Sequence, residues 1–227
     1  MIDKIDFIKS LESAREYWSD KTKSELVSLL GKDIARMKDF DQNNPHHCFD
    51  LYVHSLTAVD NIENRENYLL LVSAFFHDIG KPKVARKKND RLVFYGHALK
   101  SADIIKKILE GMSFSSEDIE QILFYVTHHD DFISYILPEE ACGNVNSHQI
   151  IINEKNMKKY VLRLIKVYPC LFAKYDLKVI VNNLLELCMA DVRAQSRLVY
   201  SAGIIVDSME HKLKKLQQIQ EILQKIW

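Results

Sequence analysis

The chain has 227 residues, 47% hydrophobic and 27% charged, with 31 basic side chains balanced by 31 acidic ones. That length supports a core needing neither disulfides nor a structural metal, and a zero net charge demands neither nucleic acid nor membrane as partner. Cys48, Cys142, Cys170 and Cys188 form no Cys-x-x-Cys pair, which argues against zinc-ribbon and thioredoxin-like readings. The scattered thiols, the lack of an apolar signal core at Met1–Asp6 and the lack of a bilayer-length apolar run lead to the expectation of a cytoplasmic protein.

Only 6 Gly and 4 Pro are present and helical periodicity recurs almost throughout, so the expected fold class is an all-α bundle in a single domain. Helices are predicted over about 4–18 and 22–37. The polar loop Asp41-Gln42-Asn43-Asn44-Pro45-His46-His47 follows. A helix at about 50–63 places His54 among Leu51, Ala58 and Ile62 at helical spacing. The next, about 66–78, is apolar nearly all round (Leu69, Leu70, Leu71, Val72, Ala74, Phe75, Phe76) and should be central. It ends in His77-Asp78, with Gly80 and Pro82 as its stop signal.

Segment 81–95 is basic, with Lys81, Lys83, Arg86, Lys87, Lys88 and Arg91 against Asp90. A helix over about 97–110 opens at His97. Ser115 and Asp118 resemble a capping box for a helix at about 116–129. Its inward positions Ile119, Ile122 and Val126 lead by a step of three to His129, with His128 on the neighbouring flank. Residues 131–174 read as short helices. In a helix over about 175–195, Leu177, Val181, Leu184 and Cys188 define one face, and the next step lands on Asp191. The last helix, about 201–226, carries the stripe Met209, Leu213, Leu216, Ile219, Leu223 and Ile226. Such a stripe packs on the body more often than it forms a dimer seam, and the oligomeric state stays open.

Each polar residue has a plain structural reading when taken alone. His54 and His129 suit satisfied core histidines, His97 suits an exposed helix start, and Asp191 suits a carboxylate that bonds backbone or meets an arginine. A buried helix ending in two adjacent ligand types needs a compensating partner, however. His54, His77, Asp78 and Asp191 together offer three or four ligands with open positions, the pattern of a catalytic metal site. Without cysteine ligands the cation is expected to be Mn, Fe, Mg, Ni or Co, with Zn also compatible. His97 and His129 would build a second position bridged by Asp78, giving one or two metals per chain. His128 is kept as an alternative to His129 and as a substrate contact. His46, His47, His148 and His211 have no comparable context. A metal with an open position turns water into a nucleophile near neutral pH, so the expected chemistry is hydrolytic.

The series His54…His77-Asp78…Asp191 resembles the HD-domain metal-dependent phosphohydrolases, most closely the HD region of bacterial CCA-adding tRNA nucleotidyltransferases. The likeness is carried by 41–47, by Asp50-Leu51-Tyr52-Val53-His54-Ser55-Leu56, by Phe75-Phe76-His77-Asp78-Ile79-Gly80-Lys81-Pro82, by Phe94-Tyr95-Gly96-His97 and by Ala190-Asp191-Val192-Arg193-Ala194-Gln195-Ser196. It extends over about 20–200. It implies an HD-type helical bundle spanning 1–227, with the terminal helices packed on that core. It implies a first metal on His54, His77, Asp78 and Asp191 and a second using His97 and His129. Asp78 and Lys81 would act in catalysis, and Lys81, Arg193 and His128 would touch substrate. The implied reaction is attack of metal-activated water on a phosphomonoester or phosphodiester, a nucleotide or 2′,3′-cyclic phosphate. The chain departs from the polymerases in having no Gly-Ser pair of the nucleotide-adding head, so a free-standing HD domain without nucleotide addition is expected. The rival expectation is an RNA-binding or regulatory HD module without turnover, binding through Lys81–Arg91 and the last helix. Zero net charge argues against it.

Overall fold

The computed structural model describes residues 3–12, 31–44, 46–88, 90–133, 151–201 and 204–227. The helices are α1 (Lys4–Glu12), α2 (Lys32–Ala35), α3 (Leu51–Asp60), α4 (Tyr68–Phe76), α5 (Lys81–Val84), α6 (His97–Gly111), α7 (Ser116–His128), α8 (Glu154–Val167), α9 (Pro169–Lys174), α10 (Leu177–Arg193) and α11 (Ser208–Ile226). The fold is mostly helical, as expected for an HD-type bundle. Two antiparallel hairpins complete it: β1 (Arg86–Lys88) with β2 (Arg91–Val93), and β3 (Leu198–Ser201) with β4 (Ile204–Asp207).

α4 lies at the centre because it has no polar face: Leu70, Leu71, Val72, Ser73, Ala74, Phe75 and Phe76 are all buried. It packs against α1, α3, α7 and α10. Phe7 of α1 closes one side, its ring 5.6 Å from Phe75 and 5.5 Å from Phe76. Helix starts are capped as the composition suggests. Asp50 accepts from the Val53 N–H at 2.8 Å, and Ser115 accepts from the Asp118 N–H at 3.1 Å. The Asp118 carboxylate does not complete a capping box; it meets Lys4 and the Tyr68 hydroxyl instead.

Two helix assignments change, and one basic segment gains a structure. The last helix begins at Ser208 rather than near 201, because the β-branched run Ile204-Ile205-Val206 pairs with Leu198–Ser201. Within 131–174, Glu154–Val167 is one full helix, with Met157, Tyr160, Val161 and Leu164 buried at helical spacing. The basic segment after Lys81 is a short helix followed by an exposed hairpin. The parts of the two predicted N-terminal helices at 13–30, together with Cys142 and His148, lie outside the described residues. The stripe on α11 is packed inward: Leu216, Ile219 and Leu223 are buried, against α10 and α8. Among the described residues no helix is long and apolar enough to cross a membrane.

Candidate metal centre

α4 stops at Phe76, and a turn over 77–80 leads into α5, with Pro82 in the first turn of that short helix. The turn points His77 and Asp78 inward at the foot of the central helix. α3 brings His54, the last turn of α10 brings Asp191, the start of α6 brings His97, and the end of α7 brings His129. Gly96 precedes His97 at φ 76°, a backbone conformation that suits glycine, and so sets the chain's entry into α6.

Two ligand groups result, His54 with His77, Asp78 and Asp191, and Asp78 with His97 and His129. In the first, His54 Nε2 stands 3.2 Å from His77 Nε2 and 3.0 Å from Asp191 Oδ1, while His77 Nε2 stands 3.1 Å from Asp78 Oδ2. In the second, His97 Nε2 stands 3.1 Å from both Asp78 Oδ1 and His129 Nε2. Asp78 therefore offers one oxygen to each group.

The tautomers follow from the partners. His54 Nδ1 faces the Ala194 carbonyl at 3.2 Å, His77 Nδ1 that of Ala74 at 2.7 Å, His97 Nδ1 that of Phe94 at 3.0 Å and His129 Nδ1 that of Val126 at 2.7 Å. A carbonyl only accepts, so each Nδ1 donates and each Nε2 turns inward as the other ring nitrogen. Four such nitrogens converging with two carboxylates is an arrangement that a cation satisfies. Ligand atoms about 2.0–2.1 Å from a common centre stand about 2.8–3.4 Å apart, which matches these separations. Asp78 Oδ1 and Asp191 Oδ1 are buried and face imidazole Nε2 atoms at 3.1 and 3.0 Å, so the residues fit a divalent ion.

Without a cation the groups hold each other through protons. Burial opposes a charge on His77, but Asp78 and Asp191 outweigh it and raise its pKa to about 10. Burial likewise opposes a charge on His97, and Asp130 and Asp78 raise it to about 9. Asp78 and Asp191 stay well below the usual carboxylate range: burial pushes them up, and the facing histidines pull them further down.

The structure brings together His54, His77, Asp78, Asp191, His97 and His129, and adds Lys81, whose Nζ lies 2.6 Å from Asp78 Oδ2 and 2.8 Å from Gln42 Oε1. Arg193 is not among them. Two residues beyond Asp191 is roughly 200° around the helix, and its guanidinium pairs with Glu63 at 2.9 Å. His128 is also engaged elsewhere, between Asp131 Oδ2 and the Tyr168 hydroxyl, each at 2.8 Å.

Several neighbours were missed. Asp130 Oδ2 lies 3.1 Å from His97 Nε2 and Oδ1 3.6 Å from His129 Nε2, adding a carboxylate to the second group. Its place in the run His128-His129-Asp130-Asp131 was the available signal. Its side chain is half exposed, and the facing His129 and His97 hold its carboxyl below the usual carboxylate range. His47 stands edge-on to His54 with ring centroids 4.9 Å apart. Gln195 Nε2 donates to Asp191 Oδ2 at 3.4 Å, and its Oε1 accepts from Lys212 on α11. No periodicity in the sequence singles out these last three.

A comparison with curated proteins found no match. The profile of the HD domain matches residues 44–160, just over half of the chain, and contains His54, His77, Asp78, His97 and His129. Asp191 lies beyond the matched residues, and a match over more than half of the chain shows that it belongs to the HD domain family.

Proposed function

We propose that this protein is a metal-dependent phosphohydrolase that cleaves a phosphomonoester or phosphodiester, with nucleotides and 2′,3′-cyclic phosphates as its substrate class. The observation that carries the reading is the convergence of four backbone-braced imidazoles on two buried carboxylates, with ligand atoms spaced as around a shared cation. His54, His77, Asp78 and Asp191 would hold one divalent ion; Asp78, His97, His129 and Asp130 would hold a second. When bound, such an ion supplies Lewis-acid polarisation of a phosphoryl oxygen and a water that is nucleophilic near neutral pH.

The protein's own side chains supply the rest. Asp78 places one negative charge between the two positions, and Lys81 holds a fixed positive charge beside it. That ammonium is buried, so its attraction for phosphoryl oxygens is little screened by water. The carbonyls of Ala74, Phe94, Val126 and Ala194 fix the imidazole rings, so no ligand need reorient when substrate arrives.

The likeness to the CCA-adding enzymes rests on the sequence segments alone and motivates only the rival reading, an RNA-binding or regulatory module. Its basic element is the β1–β2 hairpin, where Arg86, Lys87 and Lys88 are exposed. Lys87 already pairs with Asp90 at 2.9 Å. Metal analysis of the purified protein, followed by a phosphatase and phosphodiesterase panel with Mn, Ni, Mg, Fe, Co and Zn, tests the proposal. Metal-dependent turnover abolished by His77→Ala is the expected result. A metal-loaded protein inactive across the panel would favour the regulatory module, and salt-sensitive retention on heparin the RNA-binding one.

A further inference from the structure

We propose that Lys212, the Gln42 amide and the His47 imidazole form an anion subsite beside the metal centre that takes the phosphoryl group of a phosphomonoester. The inference rests on the phosphohydrolase reading and narrows it to monoesters.

Lys212 lies on the inward stripe of α11 and is 6% exposed. Lys81, the other buried lysine of the site, has Asp78 as its counter-charge. Lys212 instead donates to a neutral amide, Gln195 Oε1. Gln195 turns its other end to Asp191, so one side chain separates the ammonium from a metal-ligand carboxylate. A buried ammonium without a carboxylate in contact is costly to hold, and a bound anion removes that cost. The Ser196 N–H donates to the His46 carbonyl at 2.7 Å and the Ser208 hydroxyl lies 3.3 Å from His46 Nδ1, so the 41–47 loop adjoins both Gln195 and the start of α11.

That loop supplies an amide donor and a ring nitrogen that meet no partner among the described residues. Lysine only donates, so the contact with Lys81 Nζ fixes Gln42 Oε1 and turns Nε2 the other way. Gln42 is 1% exposed, and Nε2 has no hydrogen-bond partner among the described residues. His47 packs against His54 while its Nδ1 is buried and also unpartnered. Lys212, Gln42 and His47 thus approach Asp191, Lys81 and His54 respectively. A cation, an amide donor and an imidazole able to donate through Nδ1 suit a group rich in terminal oxygens. A phosphomonoester presents three such oxygens and up to two negative charges, a diester two oxygens and one charge, so the subsite matches the monoester.

The test uses orthophosphate and dimethyl phosphate as probes, titrated into the metal-loaded full chain by calorimetry. Orthophosphate should bind, and dimethyl phosphate should bind at least about tenfold more weakly. Lys212→Met should weaken orthophosphate about tenfold or more, with metal content and the phosphate-free melting temperature near those of the wild type. Lys212→Arg should restore most of the affinity. A tether that merely packs α11 would move the melting temperature and leave phosphate affinity alone. Should Lys212→Met fail to fold, Gln42→Leu reports on the same subsite, with a several-fold loss expected. Unchanged affinity in the folded variant, equal binding of both probes, or no binding of orthophosphate to the wild type would overturn the inference. Metal-dependent hydrolysis unaffected by Lys212→Met would sink the subsite and leave the phosphohydrolase standing. Phosphate binding lost in Lys212→Met without turnover on any ester would do the reverse.

Discussion

The backbone N–H of Gly80 donates to the Ser101 hydroxyl at 2.9 Å, so the turn that follows His77-Asp78 sits directly on the first turns of α6. A Cβ at Gly80 would stand 2.5 Å from the His97 carbonyl oxygen and 2.6 Å from the Ser101 nitrogen. Space, rather than conformational freedom, requires glycine here. The contact sets how closely His97 approaches Asp78.

Gly80→Ala should therefore destabilise the fold by about 1–3 kcal/mol, as overpacking against backbone does. It should also push His97 away from Asp78 and empty the second metal position first. Thermal melts and metal stoichiometry at saturating Mn check both parts. A variant that keeps two ions would show that the turn does not set the spacing.

Asp78→Asn and His129→Ala should differ in kind. Asp78 turns Oδ2 to His77 and Oδ1 to His97, whereas His129 belongs to the second group alone. The Asn variant should lose both ions and about 10²-fold or more of any activity. His129→Ala and Asp130→Asn should each retain one ion. Identical stoichiometry in all three variants would mean that the positions fill only as a pair.

Metal loading should depend on pH in a defined direction. A histidine whose pKa rises on folding stabilises the fold while it holds its proton. That contribution is complete below the unfolded value near 6.5. It fades as pH climbs through about 9 for His97 and about 10 for His77. A cation replaces those protons. The melting-temperature gap between loaded and metal-free protein should thus widen from pH 6.5 to 9. Calorimetry in buffers of different ionisation enthalpy should show proton release on loading; enthalpies independent of buffer would count against protonated histidines in the metal-free centre.

Lys81→Met should cut kcat by about 10²–10³ while metal content stays near that of the wild type. Lys81 touches Asp78 and Gln42 and is not a metal ligand. Full activity in this variant would remove Lys81 from the proposed chemistry.

Much of the centre was legible because its ligands sit at the ends of strong periodic patterns. The apolar face Val181, Leu184 and Cys188 is buried and leads to Asp191, and the face Ile122 and Val126 leads to His129 rather than His128. Asp130 belongs to no such face: it follows His129 in the turn after α7, one step off the spacing that leads from Ile122 and Val126. Lys212 was hidden for another reason: it shares an apolar stripe with Met209 and Leu216, and charge suggested solvent. Arg193 shows the converse. A basic residue near a ligand in sequence lies on the far side of the helix and finds Glu63. The two hairpins fall in segments too short for alternation to stand out against helical neighbours.

The four braced imidazoles differ in reach. His77, His97 and His129 each bond a carbonyl three residues upstream, whereas His54 bonds Ala194, 140 positions away. The first three acquire their orientation within one turn of chain. The fourth waits for α3 to meet the end of α10, a slow closure because long loops must be ordered before the contact forms. During refolding, the half of the centre built from residues 77–130 can thus assemble before the half that needs both ends of the chain. Refolding with Mn present should then show early protection from hydrogen exchange across α4, α6 and α7, with α3 and α10 following; simultaneous protection would mean that the two halves form as one.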